Sequence, residues 1–267
     1  MSPERNELCP CGSGIKFKKC CANGRTGLDP ITYNKNVAYL GQIGRRRQQF
    51  CLDYTAFKKQ ALGDGNILLQ EMAAAEGESI SCIKGCSKCC MLYVLATLQE
   101  AECITYYLYQ HEDKLKHFIT AYPAWLRGLG LFTHKFQRVD QMIAKKLAGC
   151  LSAEEEERLT SDLTDYTGRK NYCPFLVDNI CSIYEVRPFV CASLVAVTPT
   201  ETCTWDVSGI NQGKYHKIVF QLDQDKPYFV KSRKPIIIGC VPEMVNRLLE
   251  GGYSFLAGIE GLESLRH

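Results

Sequence analysis

Sixteen cysteines occur in 267 residues, and twelve of them fall into three tight groups: Cys9, Cys11, Cys20 and Cys21; Cys82, Cys86, Cys89 and Cys90; Cys173, Cys181, Cys191 and Cys203. A thiolate is a soft metal ligand and a nucleophile, so grouped thiols point to metal binding or redox chemistry. Cysteine makes up about 6% of the chain, below the roughly 8–10% of short disulfide scaffolds, which are also shorter than this chain. The adjacent Cys89 and Cys90 are poorly placed to bridge each other, because neighbouring Cα atoms lie about 3.8 Å apart and a disulfide prefers about 5.5–6 Å. The groups therefore read as ligand sets for cations.

In the first group, Cys9-Pro10-Cys11 faces Cys20-Cys21 across eight intervening residues. Zinc takes four thiolates in a tetrahedron, and Gly12-Ser13-Gly14 lets the backbone turn between the two pairs. Lys16, Lys18 and Lys19 place positive charge beside the sulfurs, which favours the thiolate form. The segment has few large apolar side chains apart from Leu8, Ile15 and Phe17. Without metal it is not expected to fold, since a structural zinc contributes about 10–16 kcal/mol in small peptides and little else offsets the backbone entropy.

In the second group, Cys82, Cys86, Cys89 and Cys90 are followed far downstream by Cys173, Cys181 and Cys191. Seven thiols in two runs point to one shared site. All-thiolate surroundings select zinc or an iron–sulfur centre over magnesium, calcium or manganese, and leave the choice between zinc and iron open. Cys203 is a further candidate, while Cys51, Cys103, Cys150 and Cys240 stand alone and are expected to be buried small apolar residues.

The elements that must position these thiols are mostly helical by pattern. Apolar residues from Tyr33 to about Ala75 recur at helical spacing and predict two or three helices. Thr97-Leu98-Gln99-Glu100 has the form of a capping box and predicts a helix starting just after the Cys82–Cys90 run. Further helices are expected over 112–121, 135–148 and 153–165, the last capped by Ser152 and Glu155. Pro174, the Val177-Asp178-Asn179 turn and Pro188 predict a short hairpin or loop over 173–191. Strands are expected over 216–222 and 227–239, and a helix from Pro242 to Glu250. The fold class is mainly α with a few short strands: a small N-terminal zinc knuckle over 1–28, attached to a helical, cysteine-cluster metal-binding domain over 29–267 with its core at 82–194.

Two family resemblances follow from these residues. Arg5-Asn6 and Cys9 to Cys21 resemble the SEC-C zinc motif found at the tail of the protein translocase motor SecA. That resemblance implies zinc on Cys9, Cys11, Cys20 and Cys21, and a surface that docks a protein partner; Ile15 stands where a lysine is usual. The second half resembles the YkgJ-type cysteine-cluster family of zinc- or iron-chelating domains. The likeness is carried by Cys86, Cys89, Cys90, a glutamate at 100 or 102, Cys173-Pro174-Phe175-Leu176, Cys181, Tyr184-Glu185, Arg187-Pro188 and Cys191. It implies metal on Cys86, Cys89, Cys90, Cys173, Cys181 and Cys191, with Cys82 alongside. Ser87 or Lys88 replaces a glycine usual in the first run, Ala192 replaces an arginine common after the last cysteine, and the stretch 110–170 is not accounted for by the resemblance. Arg187 is placed to neutralise an anionic thiolate cluster, with Glu185 as a partner for it or for a ligand. Glu100 reads as a helix cap ahead of a metal ligand.

Bulk composition narrows the remaining classes. With 46% hydrophobic and 10% aromatic residues the chain can bury a sizeable core. A net charge of +3 names no partner by itself, and the Arg45-Arg46-Arg47 run reads as a solvated helix face, so nucleic-acid binding is disfavoured. The polar opening residues form no secretory signal and Met91–Leu98 is too short to span a bilayer, so a cytoplasmic protein without a membrane segment is expected. No Ser-His-Asp or Cys-His arrangement and no P-loop occurs. Two functional classes remain. One is a metal-binding module with an adaptor or metal-handling role. The other is an iron–sulfur-dependent enzyme, because flagellin lysine methylases carry a similar cysteine cluster and Cys82-x3-Cys86-x2-Cys89 has the spacing of radical S-adenosylmethionine enzymes. Against the second stands the lack of the strand–helix alternation of a radical-enzyme barrel.

Overall fold

The computed structural model describes residues 6–7, 16, 41–199, 215–217 and 238–257. The thiols of the expected zinc knuckle, Cys9, Cys11, Cys20 and Cys21, lie outside the described residues, as does Cys203. Within them the order of elements is α1 (Gly41–Ala75), β1 (Leu95–Thr97), α2 (Leu98–Gln110), α3 (Glu112–Leu129), a 3-10 turn over Gly130–Lys135, α4 (Phe136–Leu147), α5 (Ala153–Gly168), β2 (Leu176–Val177), β3 (Ile180–Cys181), a 3-10 turn over Tyr184–Val186, α6 (Phe189–Ala192), β4 (Leu194–Ala196), β5 (Tyr215–Lys217), β6 (Ile238–Cys240) and α7 (Val241–Ala257). The described part is thus mainly α with a few short strands.

Of the stretch from Tyr33 to about Ala75 expected to hold two or three helices, 33–40 lies outside the described residues and 41–75 is one continuous helix of 35 residues. The reason is phase: Cys51, Tyr54, Lys58, Gly65, Leu69 and Ala73 are buried, and their spacing of three, four and seven keeps one stripe facing the core straight through Gly63-Asp64-Gly65. The third helix likewise runs beyond its expected end near 121, through Pro123 to Leu129. There Trp125 and Leu129 continue the buried stripe of Leu115, Phe118, Ile119 and Tyr122, so packing outweighs the lost backbone donor of the proline.

Helix α2 is the centre of the molecule. It starts where the capping box predicts, with Thr97 accepting from the Glu100 N–H and the Glu100 carboxylate accepting from Thr97. Every residue from Glu100 to Leu108 is buried, because α1, α3 and α7 all pack against this helix. On α7, Val241, Met244, Val245, Leu248 and Leu249 are buried at the three-four spacing of a single core-facing stripe. Each such side chain contributes about 1.5–3 kcal/mol on burial.

The segment 110–170 supplies much of the helical body. α4 and α5 pack on each other, and ion pairs run along the seam: Lys145 to Glu155 at 2.5 Å, Lys146 to Glu156 at 2.6 Å and Arg138 to Asp162 at 2.7 Å. The Ser152–Glu155 capping box is present at the start of α5. Phe132, Phe136, Val139, Leu159 and Tyr166 from this segment join the main core.

The strands form three antiparallel pairs, β1 with β6, β2 with β3 and β4 with β5. Of the strands expected at 216–222 and 227–239, the described parts are β5 and β6. The β1–β6 pair sets Cys240 opposite Leu95. It requires Gly239, where an added Cβ would come within 2.8 Å of Met244 and 3.0 Å of Asp140.

Candidate metal centre

The first run of thiols is built from consecutive tight turns between α1 and β1. The Cys86 N–H donates to Ile83 O, Cys90 N–H to Ser87 O and Leu92 N–H to Cys89 O, at 2.9–3.1 Å. Gly85 has φ +92°, a conformation that L side chains rarely adopt, and it lets the chain turn straight into Cys86. Cys82 is tethered from the far side: its Sγ accepts from Ala196 N–H at 3.2 Å, while the Ser81 N–H donates to Ala196 O at 2.9 Å.

The second run meets the first through the backbone. The Cys173 N–H donates to Cys90 O at 2.8 Å, which fastens the start of the β2–β3 hairpin to the end of the first run. The expected turn lies between the two strands, with Asp178 at φ 49° and Asn179 at φ 64°, both left-handed as a two-residue hairpin loop requires. The hairpin register places Cys181 opposite Leu176. Phe175, fully buried and stacked on Phe118 at 4.4 Å between ring centres, anchors the segment in the core.

Cys191 sits on the short helix α6, held by two buried charged side chains. Lys58 on α1 donates to Val186 O at 2.8 Å and to Arg187 O at 2.9 Å. Glu100 on α2 accepts from the Phe189 N–H at 2.7 Å. Its other oxygen completes the helix cap, so Glu100 is a cap, as its spacing predicts, and also a clamp on the Cys191 segment, which the spacing alone does not reveal. Lys58, invisible as a functional residue in the sequence, is the second half of that clamp; burial lowers its pKa from the usual lysine range. Glu102 is buried on the same helix.

The outcome is a single cavity of about 520 Å³ walled by Cys82, Cys86, Cys89, Cys90, Cys173, Cys181 and Cys191. Two runs of thiols separated by more than eighty residues thus face one space. Cys240 also lines it; its burial fits the expectation for an isolated cysteine, but its place on the wall does not, and only the long-range β1–β6 pairing puts it there. Cys51 and Cys103 are buried as expected, in a satellite cluster with Tyr54, Tyr106 and Phe189. Cys150 departs from its expected burial: it lies exposed after α4, where its Sγ bonds Lys145 O at 3.5 Å, because the chain leaves the helix there before turning into α5.

All the described cysteines are free thiols. Among the described residues no group of three or more Cys, His, Asp or Glu side chains stands close enough together to hold an ion, so the sulfurs ring the cavity without converging on one point. Their electrostatics are uneven. A hydrogen bond from the Cys90 thiol lowers the Cys89 pKa to about 7, and the same bond, with Cys90 as donor, raises that of Cys90. Burial pushes Cys173 up to about 12 and raises Cys82, Cys181 and Cys191. Thiols raised in this way give up their protons to a cation, whose charge stabilises the thiolates. Among the described residues no carboxylate and no imidazole lines the cavity, and a donor set dominated by thiols fits zinc or iron–sulfur better than a hard cation.

Glu185 and Arg187 form no ion pair with each other. Glu185 is exposed, and the Arg187 guanidinium lies 4.0 Å over the ring of Tyr184 instead.

Residues 5–23 match the model of the SEC-C motif, and residues 81–208 match the CxxCxxCC model, described as "Putative zinc- or iron-chelating domain". The chain carries both. The second match spans both runs of cavity thiols and includes the 110–170 stretch that builds the helical body, while Cys240 lies beyond its end. In this chain the motif reads C-x3-C-x2-C-C, and the longer first interval is taken up in the turn at Gly85. No curated protein and no solved structure matches the chain.

Proposed function

We propose that this chain is a metal-handling protein in which Cys82, Cys86, Cys89, Cys90, Cys173, Cys181 and Cys191 hold zinc or an iron–sulfur centre in the cavity, while Cys9, Cys11, Cys20 and Cys21 hold a structural zinc in a knuckle that docks a protein partner. One observation carries the reading: two thiol runs far apart in sequence wall the same cavity, with no competing carboxylate or imidazole among the described residues. A structural zinc site is closed by four ligands. Seven thiols round an accessible cavity exceed that need, which favours a centre that accepts and releases metal or carries a cluster.

The test is metal analysis of anaerobically purified full-length protein, with C9S/C20S and C173S/C181S variants alongside. The reading expects zinc in the knuckle and a second metal, zinc or iron, in the cavity, each lost with its own pair of substitutions. Protein that carries no metal and whose thiols are oxidised in pairs overturns it.

A second reading, an iron–sulfur-dependent enzyme related to flagellin lysine methylases, draws support from the size of the cavity, which falls in the range of small-molecule sites, about 300–1,000 Å³. A brown, oxygen-sensitive cluster on the C9S/C20S variant favours it, and colourless zinc protein favours metal handling.

A further inference from the structure

Three features of the cavity remain after the thiols are assigned. The first is charge: apart from the thiols and tyrosines, the ionisable groups that line it among the described residues are Lys84 and Arg187, both cationic. The second is Arg187 itself. Arg138, Arg169 and Arg247 each grip a carboxylate of the helical body, at 2.7–2.9 Å, whereas the Arg187 guanidinium has no ion-pair partner among the described residues. Its face is covered by Tyr184 at 4.0 Å and its backbone is pinned by Lys58 at 2.9 Å, so the fork is held while its edge keeps donors to offer. The third is the rim: Ile83, Ile180, Tyr184 and Val190 line the cavity and are also exposed, an apolar mouth of the kind that marks a ligand site on a folded protein.

We propose that this cavity binds a small monocarboxylate with an apolar body, the carboxylate gripped by the Arg187 fork and the body lodged against Ile83, Ile180, Tyr184 and Val190. A single planar guanidinium suits a carboxylate, which it takes by two parallel hydrogen bonds. A phosphate dianion usually gathers more donors, such as a run of backbone N–H groups. The apolar rim gives the body of the molecule a place out of water, and Lys84 adds a second positive charge. The inference goes beyond the metal reading and needs no particular metal on the thiols. The competing role for Arg187, balancing the charge of metal-bound thiolates, predicts no carboxylate binding at all.

The experiment titrates hexanoate into the full-length protein as purified, labelled with nitrogen-15, following the Arg187 side-chain Nε–H resonance. Hexanamide serves as the neutral analogue and hexyl phosphate as the phosphate analogue, and metal per chain is measured in every sample. Hexanoate is expected to move the Arg187 signal saturably. R187Q is expected to weaken binding by about 10–100-fold, the value of a charged two-bond grip, and R187K by less, because it keeps the charge and loses the fork. If R187Q does not fold, R187K carries the comparison. Hexanoate that leaves the signal unmoved, binds R187Q as well as wild type, or is matched by hexanamide overturns the site, and tighter binding of hexyl phosphate overturns its carboxylate class. Loss of metal from R187Q without hexanoate binding to wild type assigns Arg187 to charge balance and also overturns it. Hexanoate binding through Arg187 in metal-free protein leaves this inference standing while the metal reading fails.

Discussion

Cys51 and Cys103 differ from the cavity thiols in what their backbones do. Both sit in the interior of long helices, α1 and α2, where the helix turns their side chains onto the core stripe. They are 1% exposed, packed among Tyr54, Tyr106 and Phe189, and their thiols donate to backbone carbonyls, Cys51 to Glu102 O and Cys103 to Cys51 O. The cavity thiols mostly stand in turns, on a hairpin or on a one-turn helix, where no regular stripe claims the side chain and several sulfurs can face one space. A cysteine in a helix interior serves packing; the same residue in a turn is free to serve a cation.

The largest expected effect breaks the comparison from the cavity side. C173S/C181S is expected to abolish metal binding at the cavity, whereas C51A/C103A keeps full metal content and loses only packing energy, about 1–2 kcal/mol for each trimmed core side chain. Metal per chain and urea unfolding of both double variants check this. Loss of metal from the helix pair, or full metal in the cavity pair, removes the distinction.

The next effect concerns what holds the two regions together. Lys58 and Glu100 reach out of the same two helices that bury Cys51 and Cys103, and fasten the segment that carries Arg187 and Cys191. K58M removes the donor to one buried and one part-buried carbonyl, and a buried one left unsatisfied costs about 1–3 kcal/mol. Urea unfolding is expected to show a destabilisation of about 3 kcal/mol, and metal is expected to dissociate faster from the cavity than in wild type. An unchanged midpoint would mean that the clamp does not matter.

How much of this was legible in the sequence follows the same division between local and distant interactions. The caps at Thr97–Glu100 and Ser152–Glu155 and the turn at Asp178-Asn179 were readable because their partners lie within a few residues. The thiol groups were readable because a ligand set leaves its mark as close spacing. Cys240 was not, since its place on the wall depends on β1 meeting β6 across more than 140 residues. The clamp by Lys58 was not, because a lysine destined for burial looks like any surface lysine until two carbonyls converge on it. The continuity of α1 through Gly63 and Gly65 was not, because the buried stripe that carries it appears only once the packing partners are known.

A third effect tests the wall where Cys240 sits. Tyr93, which lines the cavity, donates to Asp140 Oδ1 at 2.7 Å, and burial pushes the Asp140 pKa up to about 6. In the unfolded chain the group ionises near pH 4. Between the two values the folded protein holds the extra proton, so the contribution is fully present below about pH 4 and is lost as pH rises through 6, roughly 2–3 kcal/mol in all. Comparing urea unfolding of wild type and D140N at pH 4.5 and 7.5 isolates it: the wild type is expected to lose that stability relative to D140N at the higher pH. Parallel pH profiles would show that Asp140 is not strained by its burial.

The smallest effect completes the contrast. Cys150 is in neither region: it is exposed, after the end of α4, and bonds only Lys145 O. C150S is expected to change stability by less than about 0.5 kcal/mol, as surface substitutions do, and to leave metal content unchanged. In the metal-loaded protein a thiol-alkylating reagent is expected to modify Cys150 ahead of the cavity sulfurs, because metal-bound thiolates are shielded and the Cys51–Cys103 pair is buried. Mass mapping of the first alkylated site checks this. If Cys82 or Cys89 reacts before Cys150 in metal-loaded protein, those sulfurs are not ligands, and the turn-borne thiols would be set apart from the helix-borne ones by exposure alone.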